Sequence, residues 1–263
     1  MILLSFDIEE FDLPRESGVQ ITLEEAMPVS DKGTNIILDV LKEEHVKATF
    51  FCTTTFAKHA PLTVKRIIDE GHELASHGCD HWKPKAEDVI HSKRILEEQT
   101  GLTIKGYRQP RMFPVSDEEI ERQGYLYNSS LHPAFIPGRY MHLNEPRTPF
   151  MKGHILEIPM SVSPYVRIPL FWLACHNYPF FLYKSLCRWT HNHDGQFVIY
   201  FHPWEFYELS EHPEWKIPYI IRHNSGENMR KRLLHLIQAF KKDQAQFITF
   251  TEYAQRFMSK NQG

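Results

Sequence analysis

The segment HELASHGCDHW at residues 72–82 places two histidines, His77 and His81, four positions apart. Imidazole nitrogens bind Zn²⁺ and related divalent ions, and a three-ligand site with an open coordination position is often completed by a carboxylate. Candidate carboxylates follow the apolar run ILLSF near the start of the chain, at Glu9 and Glu10. These residue types indicate a metal site, provided that the fold brings the two segments together.

Three further side chains have the types that hydrolysis at a metal requires. Asp7 precedes the candidate carboxylates, Arg108 ends the run IKGYR, and His202 follows the run FVIYF. A metal lowers the pKa of bound water from about 15.7 to about 7. An unligated carboxylate can then accept a proton, an arginine can keep that carboxylate ionised, and a histidine can protonate the leaving group. Each residue taken singly also fits a structural role, as part of a solvated turn, a surface ion pair or a packed strand end.

Short apolar runs alternate with helical patterns along the chain, and the candidate residues come where the runs end. The predicted strands are 2–6, 47–53, 72–77, 104–108, 125–130, 155–160, 197–201 and 246–250. The predicted helices are 34–46, 62–70, 85–99, a short one that begins at Ser116, 225–241 and 251–259. This alternation predicts parallel strands joined by helical crossovers, in a barrel more than in an open sheet. Because barrels carry their chemistry at the carboxyl ends of strands, the candidate residues should meet at one mouth.

The composition fits one large domain that spans residues 1–263, with 42% hydrophobic and 24% charged residues. A formal net charge of -3 gives no reason to expect nucleic acid as a partner. The four cysteines show no paired spacing, and the start of the chain lacks the pattern of a secretory signal. We therefore expect reduced thiols and a cytoplasmic protein, without a membrane-spanning segment.

Taken in order, the motifs resemble those of the polysaccharide deacetylase family, the NodB-homology esterases that remove N- or O-acetyl groups from sugar polymers. The resemblance runs through SFDIEEF, ELASHGCDHW, GYRQPRMF, GYLYNSS and VIYFHPWEF, over most of the chain. It implies an α/β fold, a distorted (β/α) barrel of about seven strands. It also implies hydrolysis of an acetamido group and one divalent metal ion, with zinc foremost and cobalt, nickel, manganese or iron as alternatives.

The resemblance implies a role for each matching residue. The leading aspartate of the family's first motif is the general base, which corresponds to Asp7, and the metal-binding histidine pair corresponds to His77 and His81. The arginine of the third motif corresponds to Arg108, and the general acid of the late strand corresponds to His202. Four residues in or next to these motifs are predicted to bind substrate: Pro110, Arg111, Tyr127 and Trp204.

The chain departs from the common family pattern near the base and ligands. Many members have two adjacent aspartates in the first motif, whereas here an isoleucine follows Asp7, so that the carboxylate ligand falls on Glu9 or Glu10. Residues 7 and 9 of an extended strand point to the same face, which favours Glu9. Gly78 replaces the usual serine or threonine, and Asn128 replaces a frequent aspartate. Neither change removes a ligand, but both alter the surroundings of the site.

Two segments outside the motifs each have a structural and a functional interpretation. Residues 165–189 are rich in aromatic and basic side chains, and they either cover the barrel or contact the inner surface of a membrane. In a cytoplasmic protein, the second interpretation makes a lipid-linked glycan precursor the hypothetical substrate. Residues 133–150, with Arg139 and Arg147, are expected to form a long loop over the mouth, which either shapes substrate binding or simply connects two elements.

Three other functions use the same residue types. A hydrolase of another C–N bond, in a small amide or a cyclic imide, would act on those compounds and not on acetylated sugars. A non-haem iron oxygenase also uses two histidines and a carboxylate, but its double-stranded β-helix core disagrees with the predicted helices. An inactive relative that binds sugar would have lost a ligand or the base, and only the glutamate at position 9 points that way.

Overall fold

A computed structural model describes residues 1–136 and 140–261 of the chain. Within these ranges there is one main sheet of eight strands and a separate pair of strands. The strands in chain order are β1 (Ile2–Ile8), β2 (Thr49–Cys52), β3 (Glu73–Ser76), β4 (Gly106–Tyr107), β5 (Tyr127–Asn128), β6 (Phe135–Ile136), β7 (Tyr140–Met141), β8 (Phe150–Lys152), β9 (Ile155–Glu157) and β10 (Phe197–Phe201). The sheet order is β10–β1–β2–β3–β4–β5–β9–β8, and β6 pairs with β7 separately. All neighbours in the main sheet are parallel except β8 and β9.

The helices alternate with the parallel strands, as the sequence pattern predicts. They are α1 (Leu13–Glu16), α2 (Leu23–Glu43), α3 (Thr54–His59), α4 (Pro61–Asp69), α5 (Asp88–Thr100), α6 (Asp117–Arg122), α7 (Trp172–Asn177), α8 (Phe180–Asp194), α9 (Tyr219–Arg222), α10 (Glu227–Lys242) and α11 (Phe250–Asn261). Four short 3₁₀ turns also lie in the described chain, including one at Pro110–Met112 and one at Pro203–Phe206. The two named turns follow β4 and β10, and both border the candidate site.

Helix α2 begins well before the predicted start at residue 34. The Thr22 side chain accepts a hydrogen bond from the Glu25 N–H, and the Glu25 side chain accepts one from the Thr22 N–H, which together form a capping box. Pro28 and Gly33 lie inside the helix. Both residue types weaken a helical pattern in a sequence, which explains why the first turns of α2 were not predicted.

The sheet curls into the barrel-like arrangement that the sequence predicts. Parallel pairing runs from β10 through β1 to β9, and beyond the end of β9 the Ser161 N–H donates to the Val198 carbonyl of β10 at 3.0 Å. The predicted strand at 246–250 supplies only a single parallel bridge, between Phe247 and Ile2, because α11 already begins at Phe250. The predicted barrel of about seven strands is therefore confirmed.

A hydrogen-bond network centred on Glu73 connects the elements at the amino-terminal end of the barrel. Glu73, at the start of β3, accepts hydrogen bonds from the hydroxyls of Thr49 and Tyr127, each at 2.8 Å, and from the Thr251 N–H at 2.9 Å. Strand β1 is buried along its whole length, as a central parallel strand requires. The candidate metal-binding side chains lie at the opposite end, after the carboxyl ends of β1 and β3.

The aromatic segment 165–189 contains α7 and most of α8, and it has a buried and an exposed part. Trp172 and Tyr183 are buried, whereas Tyr165, Phe181 and Trp189 are exposed. The buried part covers the barrel, and contact of the exposed part with a membrane stays a prediction. Among the helices that the structure describes, each is too short or too polar to cross a lipid bilayer.

Gly33 marks the close contact between α2 and the turn that follows β10. A Cβ at Gly33 would lie 1.9 Å from the carbonyl oxygen of Pro203, a backbone atom. We expect Gly33→Ala to lower the free energy of unfolding by about 1–3 kcal/mol, because α2 must move away from this turn. The matched control Glu24→Ala, at an exposed position of α2, should change it by less than about 0.5 kcal/mol. Urea unfolding measures both values, and equal stabilities would contradict the contact.

Candidate metal centre

Three buried side chains meet at the carboxyl ends of β1 and β3. The Oε2 atom of Glu9 lies 3.3 Å from Nε2 of His77 and 3.2 Å from Nε2 of His81. One ligand atom from each residue lies within 4.8 Å of the other two. The structure therefore brings together the three residues that the sequence predicts as metal ligands.

This donor set fits a divalent metal ion. The Oε2 atom of Glu9 is buried and has no hydrogen-bond partner, an unfavourable state that a cation would relieve. Bonds of about 2.0–2.2 Å in a tetrahedral arrangement place ligand atoms about 3.3–3.6 Å apart, close to the separations seen here. Two imidazoles and one carboxylate also leave a coordination position open for water or substrate.

Glu10, the alternative carboxylate ligand, faces away from this cluster. Its Oε1 atom accepts a hydrogen bond from the His81 N–H at 2.6 Å, and its Oε2 atom accepts one from the Thr53 hydroxyl at 3.0 Å. Glu10 thus holds the loop that carries His81. The strand alternation that favours Glu9 over Glu10 agrees with the structure.

Hydrogen bonds to the Nδ1 atoms direct both imidazoles toward Glu9. Nδ1 of His77 donates to the backbone carbonyl of Arg108 at 2.8 Å, and Nδ1 of His81 lies 2.8 Å from Oδ2 of Asp12. Such partners fix the ring and leave Nε2 for the metal. Asp12 was not predicted as part of the site. Its signal was a further acid in the motif SFDIEEFD, but it lies beyond β1, where strand alternation no longer indicates direction.

Burial and the local charges set the protonation of the cluster. Burial raises the pKa of Glu9 well above its ordinary value, against the opposing charge of His81. Burial lowers the pKa of His77. It also acts to lower the pKa of His81, but the negative charges of Glu9 and Asp12 outweigh burial and raise that pKa. Without a bound cation, the raised pKa values of Glu9 and His81 favour a state in which the pair holds a proton.

Asp7 and Arg108 form a buried ion pair beside these three residues. Nη1 of Arg108 donates to Oδ1 of Asp7, and Nε of Arg108 donates to the Ser129 carbonyl at 3.0 Å. The guanidinium lies over the Phe51 ring, 3.8 Å from its centroid. The other carboxylate oxygen of Asp7, Oδ2, is 4.0 Å from Nε2 of His77. Arg108 thus holds one oxygen of Asp7 and leaves the second oxygen toward the candidate ligands.

His202 lies across the pocket, at the end of β10. Its Nδ1 atom is 3.0 Å from Oε1 of Glu205, which also accepts the His202 backbone N–H at 2.6 Å. The Trp204 ring stacks on the His202 ring, with centroids 4.8 Å apart. Burial raises the pKa of Glu205 well above its ordinary value, although the His202 N–H opposes this effect. Glu205 is a further residue that the sequence analysis missed.

One pocket joins these groups. Asp7, Glu9, His77, His81 and His202 all line it. Two residues predicted to bind substrate, Arg111 and Trp204, line the pocket as well. Nε1 of Trp204 approaches Oε1 of Glu9 at 3.4 Å, and Nη2 of Arg111 donates to Oδ2 of Asp12 at 3.2 Å. Their contact with substrate stays a prediction.

The other two residues predicted to bind substrate lie outside the pocket lining. The prediction for Tyr127 was wrong, and that for Pro110 stays a prediction. The Tyr127 side chain is fully buried in the barrel, where its hydroxyl bonds Glu73 at the amino-terminal end. Pro110 is buried against Gly78, whose φ of +73° and proximity to the proline ring both favour glycine. Both residues adjoin a motif in the sequence, but their side chains point into the packed interior.

The turn that carries Arg111 has an unusual backbone. Arg111 and Met112 have positive φ angles of 58° and 51°, a region that residues other than glycine seldom adopt. Backbone strain of this kind is common at functional sites. Here the strained turn directs both side chains into the lining of the pocket.

The predicted loop at 133–150 borders a neighbouring groove. His142, Glu145 and Phe150 line this groove but not the metal pocket, whereas Met112 lines both. Arg147 forms an ion pair with Asp194, which ties the segment to the end of α8. Arg139 lies outside the residues that the structure describes.

Comparisons with known proteins agree with this arrangement. Residues 14–114 match the family model described as polysaccharide deacetylase, and residues 129–254 match one described as a domain of unknown function, DUF3473. A peptidoglycan deacetylase of Helicobacter pylori is 30% identical over 115 residues, which cover 40% of this chain and 39% of that protein. The chain thus spans about two fifths of the length of this relative.

Two solved structures establish the fold. A Mycobacterium smegmatis protein assigned as a polysaccharide deacetylase aligns with a TM-score of 0.66 at 18% identity, over 99% of this chain and 90% of that one. The Puue allantoinase aligns with a TM-score of 0.67 at 15% identity, over 98% of this chain and 90% of that one. Fold and site together define an α/β barrel with a candidate metal centre at its mouth. Residues 14–114 of this chain are thus similar to the polysaccharide deacetylase family, and the fold is shared over nearly the whole chain.

Metal binding at this centre should depend on pH. We expect the affinity for Zn²⁺ to rise from about pH 6 to about pH 8, because the raised pKa values of Glu9 and His81 make protons compete with the metal at the lower pH. Each displaced proton contributes up to about tenfold per pH unit. Competition with a chromophoric chelator measures the Kd at several pH values. A Kd that stays constant over this pH range would show that protons on Glu9 and His81 do not compete with the metal.

Asp12 should matter for metal affinity without being a ligand. We expect Asp12→Asn to weaken Zn²⁺ binding about 10–100-fold, because an amide holds the Nδ1–H of His81 less firmly than a carboxylate does. The control is Glu16→Gln, which alters the exposed partner of Arg111 and should leave the affinity unchanged. The same chelator competition compares the two variants. Wild-type affinity in Asp12→Asn would show that another group orients His81.

Proposed function

We propose that this protein is a metal-dependent hydrolase that removes an acetyl group, foremost an N-acetyl group, from a sugar of a polysaccharide or a lipid-linked glycan precursor. The observation that carries the proposal is the position of Glu9 Oε2 between the Nε2 atoms of His77 and His81, with Asp7 beside them. The match of residues 14–114 to the polysaccharide deacetylase family model supports the class of reaction.

On the base side of the pocket, Asp7 receives a proton from the attacking water. Arg108 occupies Oδ1 of Asp7, so Oδ2 is the oxygen that accepts it. When bound by Glu9, His77 and His81, a divalent ion, zinc foremost, would supply Lewis-acid chemistry that acidifies a water and polarises the acetyl carbonyl. The burial of Asp7 and Arg108 keeps competing water from their ion pair and strengthens it.

On the acid side, His202 gives a proton to the nitrogen of the breaking C–N bond. Glu205 stabilises the protonated ring through Nδ1, and the stacked Trp204 ring holds its plane. The water oxygen ends in acetate, and the sugar nitrogen leaves as a free amine. Both the base and the acid therefore face the space beside the candidate ligands that the acetamido group must enter.

Three exposed aromatic side chains of the segment 165–189 support the lipid-linked form of the substrate. Tyr165 and Phe181 are 80% and 74% exposed, and Trp189 contacts the Tyr165 ring. Aromatic side chains of this kind favour the interface of a lipid bilayer. A cytoplasmic location remains part of this proposal.

The alternative functions differ in their support. The parallel barrel is not the double-stranded β-helix on which the oxygenase hypothesis depends, so that hypothesis is dropped. An inactive sugar-binding relative would lack a ligand, the base or the acid, whereas all of these side chains line the pocket. Hydrolysis of a small amide or a cyclic imide would use the same groups and is separated by experiment.

Acetate release and substrate loss test the proposal directly. Protein purified without added metal, and again after zinc loading, would be assayed on N-acetylated and O-acetylated oligosaccharides, peptidoglycan fragments, small amides and cyclic imides. We expect the zinc-loaded protein to release acetate from N-acetylated sugars. In Asp7→Asn, kcat should fall about 10²–10⁴-fold with the zinc content unchanged, because only the general base is lost.

The other outcomes point to different functions. Turnover of small amides or imides alone would replace the proposal with the second hydrolase. Sugar binding without turnover of any compound would favour the inactive relative. Glu24→Gln serves as the activity control, because this exposed carboxylate in α2 lies outside the pocket lining.

A further inference from the structure

His176 in α7 belongs to a chain of hydrogen bonds that ends at the pocket. Its Nε2 atom lies 3.0 Å from Oε2 of Glu205, and the other oxygen of Glu205 lies 3.0 Å from Nδ1 of His202. His176 and Glu205 are fully buried. One carboxylate therefore joins a histidine of the pocket to a second histidine inside the molecule.

Within residues 1–136 and 140–261, the ion-pair partners of Glu205 are His176 and His202. A buried carboxylate needs hydrogen bonds to both oxygens, and removal of one partner leaves an uncompensated polar atom in the interior. His202 serves Oε1 through its ring and its backbone N–H. The position of Oε2 therefore depends on His176.

The proton of His176 belongs on Nε2. Burial lowers the pKa of His176 to about 3, with smaller contributions from His223 and Arg232, so its ring is neutral and carries one N–H. Its Nδ1 atom is buried and has no hydrogen-bond partner, so a proton there would leave an unsatisfied donor. The tautomer protonated on Nε2 instead donates to Glu205.

Both histidines pack against the same indole ring. Trp172 meets His176 with ring centroids 5.8 Å apart and meets His202 with centroids 5.3 Å apart, in both cases nearly perpendicular. The backbone carbonyl of His176 accepts a hydrogen bond from Asn224 at 2.6 Å. These contacts leave His176 one fixed orientation, in which its Nε2 atom faces Glu205.

We propose that His176 is a positioning residue for the acid at His202, and that it acts by donating its Nε2–H to Glu205. This proposal rests on the proposed function, in which His202 protonates the leaving nitrogen. Burying an imidazole in the core costs free energy unless its N–H has an acceptor. For His176 that acceptor is Glu205. The aromatic segment 165–189 thus contributes to the site through α7 as well as covering the barrel.

Other titratable or charged groups face this chain of residues from the surrounding elements. They are Asp7 and Glu9 at the end of β1, Cys175 in α7, Tyr183 in α8, Tyr200 in β10, His223 after α9 and Arg232 in α10. All of them are retained in the variants below. A change in pH dependence between those variants therefore reports on the donor at position 176.

The test compares two substitutions of His176. Gln places its amide nitrogen near the position of Nε2 and keeps a donor to Glu205, whereas Leu removes the donor. In His176→Leu, Glu205 loses one hydrogen-bond donor, and its carboxylate attracts the proton on Nδ1 of His202 more strongly. The alkaline limb of the pH profile of kcat/KM should therefore move up by about one pH unit. We expect kcat to fall with KM unchanged, and His176→Gln to stay close to wild type.

The control is His72→Leu, which removes another buried histidine at the opposite end of the barrel. Nδ1 of His72 accepts the Ala48 N–H at 3.3 Å, so this variant should lose stability while keeping the wild-type pH profile. If His176→Leu does not fold, His176→Asn replaces it, since its shorter amide does not reach Glu205. The alkaline limb staying at its wild-type pH in the Leu or Asn variant would overturn the proposal.

NMR titration of the His202 ring separates this inference from the proposed function, because it requires no substrate. In zinc-loaded protein, the pKa of His202 should rise in His176→Leu and stay unchanged in His176→Gln and His72→Leu. That result in a protein with no deacetylase activity would support the positioning role and refute the proposed function. Equal titration curves for His202 in all variants of an active enzyme would refute the positioning role alone.

Discussion

The arrangement of the site depends on the buried guanidinium of Arg108. A cation that is 0% exposed must find partners for its donors inside the protein, and Arg108 finds them in Asp7 at the end of β1 and in Ser129 after β5. Its backbone carbonyl also accepts the Nδ1–H of His77. One residue thus fixes the candidate base and one candidate ligand at once, because strands that lie side by side in the sheet bring all these atoms to the same barrel end.

The two sides of the pocket are built from different parts of the fold. The three candidate ligands and Arg108 follow parallel strands, and Asp7 lies near the end of β1. The backbone hydrogen bonds of these strands leave little freedom to their ends. His202 also ends a strand, but the groups that hold its ring come from a 3₁₀ turn and from α7. That turn is pressed against α2 at Gly33. The acid side therefore depends on helix packing, whereas the base side depends on the sheet.

Sequence reasoning succeeded where local rules determine direction. Period-two alternation, continued one residue past the end of β1, places Glu9 beside Asp7, and the end of a parallel strand is enough to bring His202 to the mouth. It failed where direction depends on tertiary packing: Tyr127 adjoins a motif but points to the far end of the barrel. The hydrogen-bond partner Asp12 lies past the strand, and His176 lies on a helix of an aromatic segment. Their roles come from contacts between elements distant in sequence, which no spacing along the chain reveals.

The short distance in sequence between His202 and Glu205 has a mechanical consequence. Both residues belong to one tight turn, in which the same carboxylate oxygen binds the backbone N–H and the ring of His202. Displacement of this turn relative to α7 would keep the contact between His202 and Glu205 but change the distance from Glu205 to His176. The acid would then retain its partner inside the turn while its connection to the helix weakened.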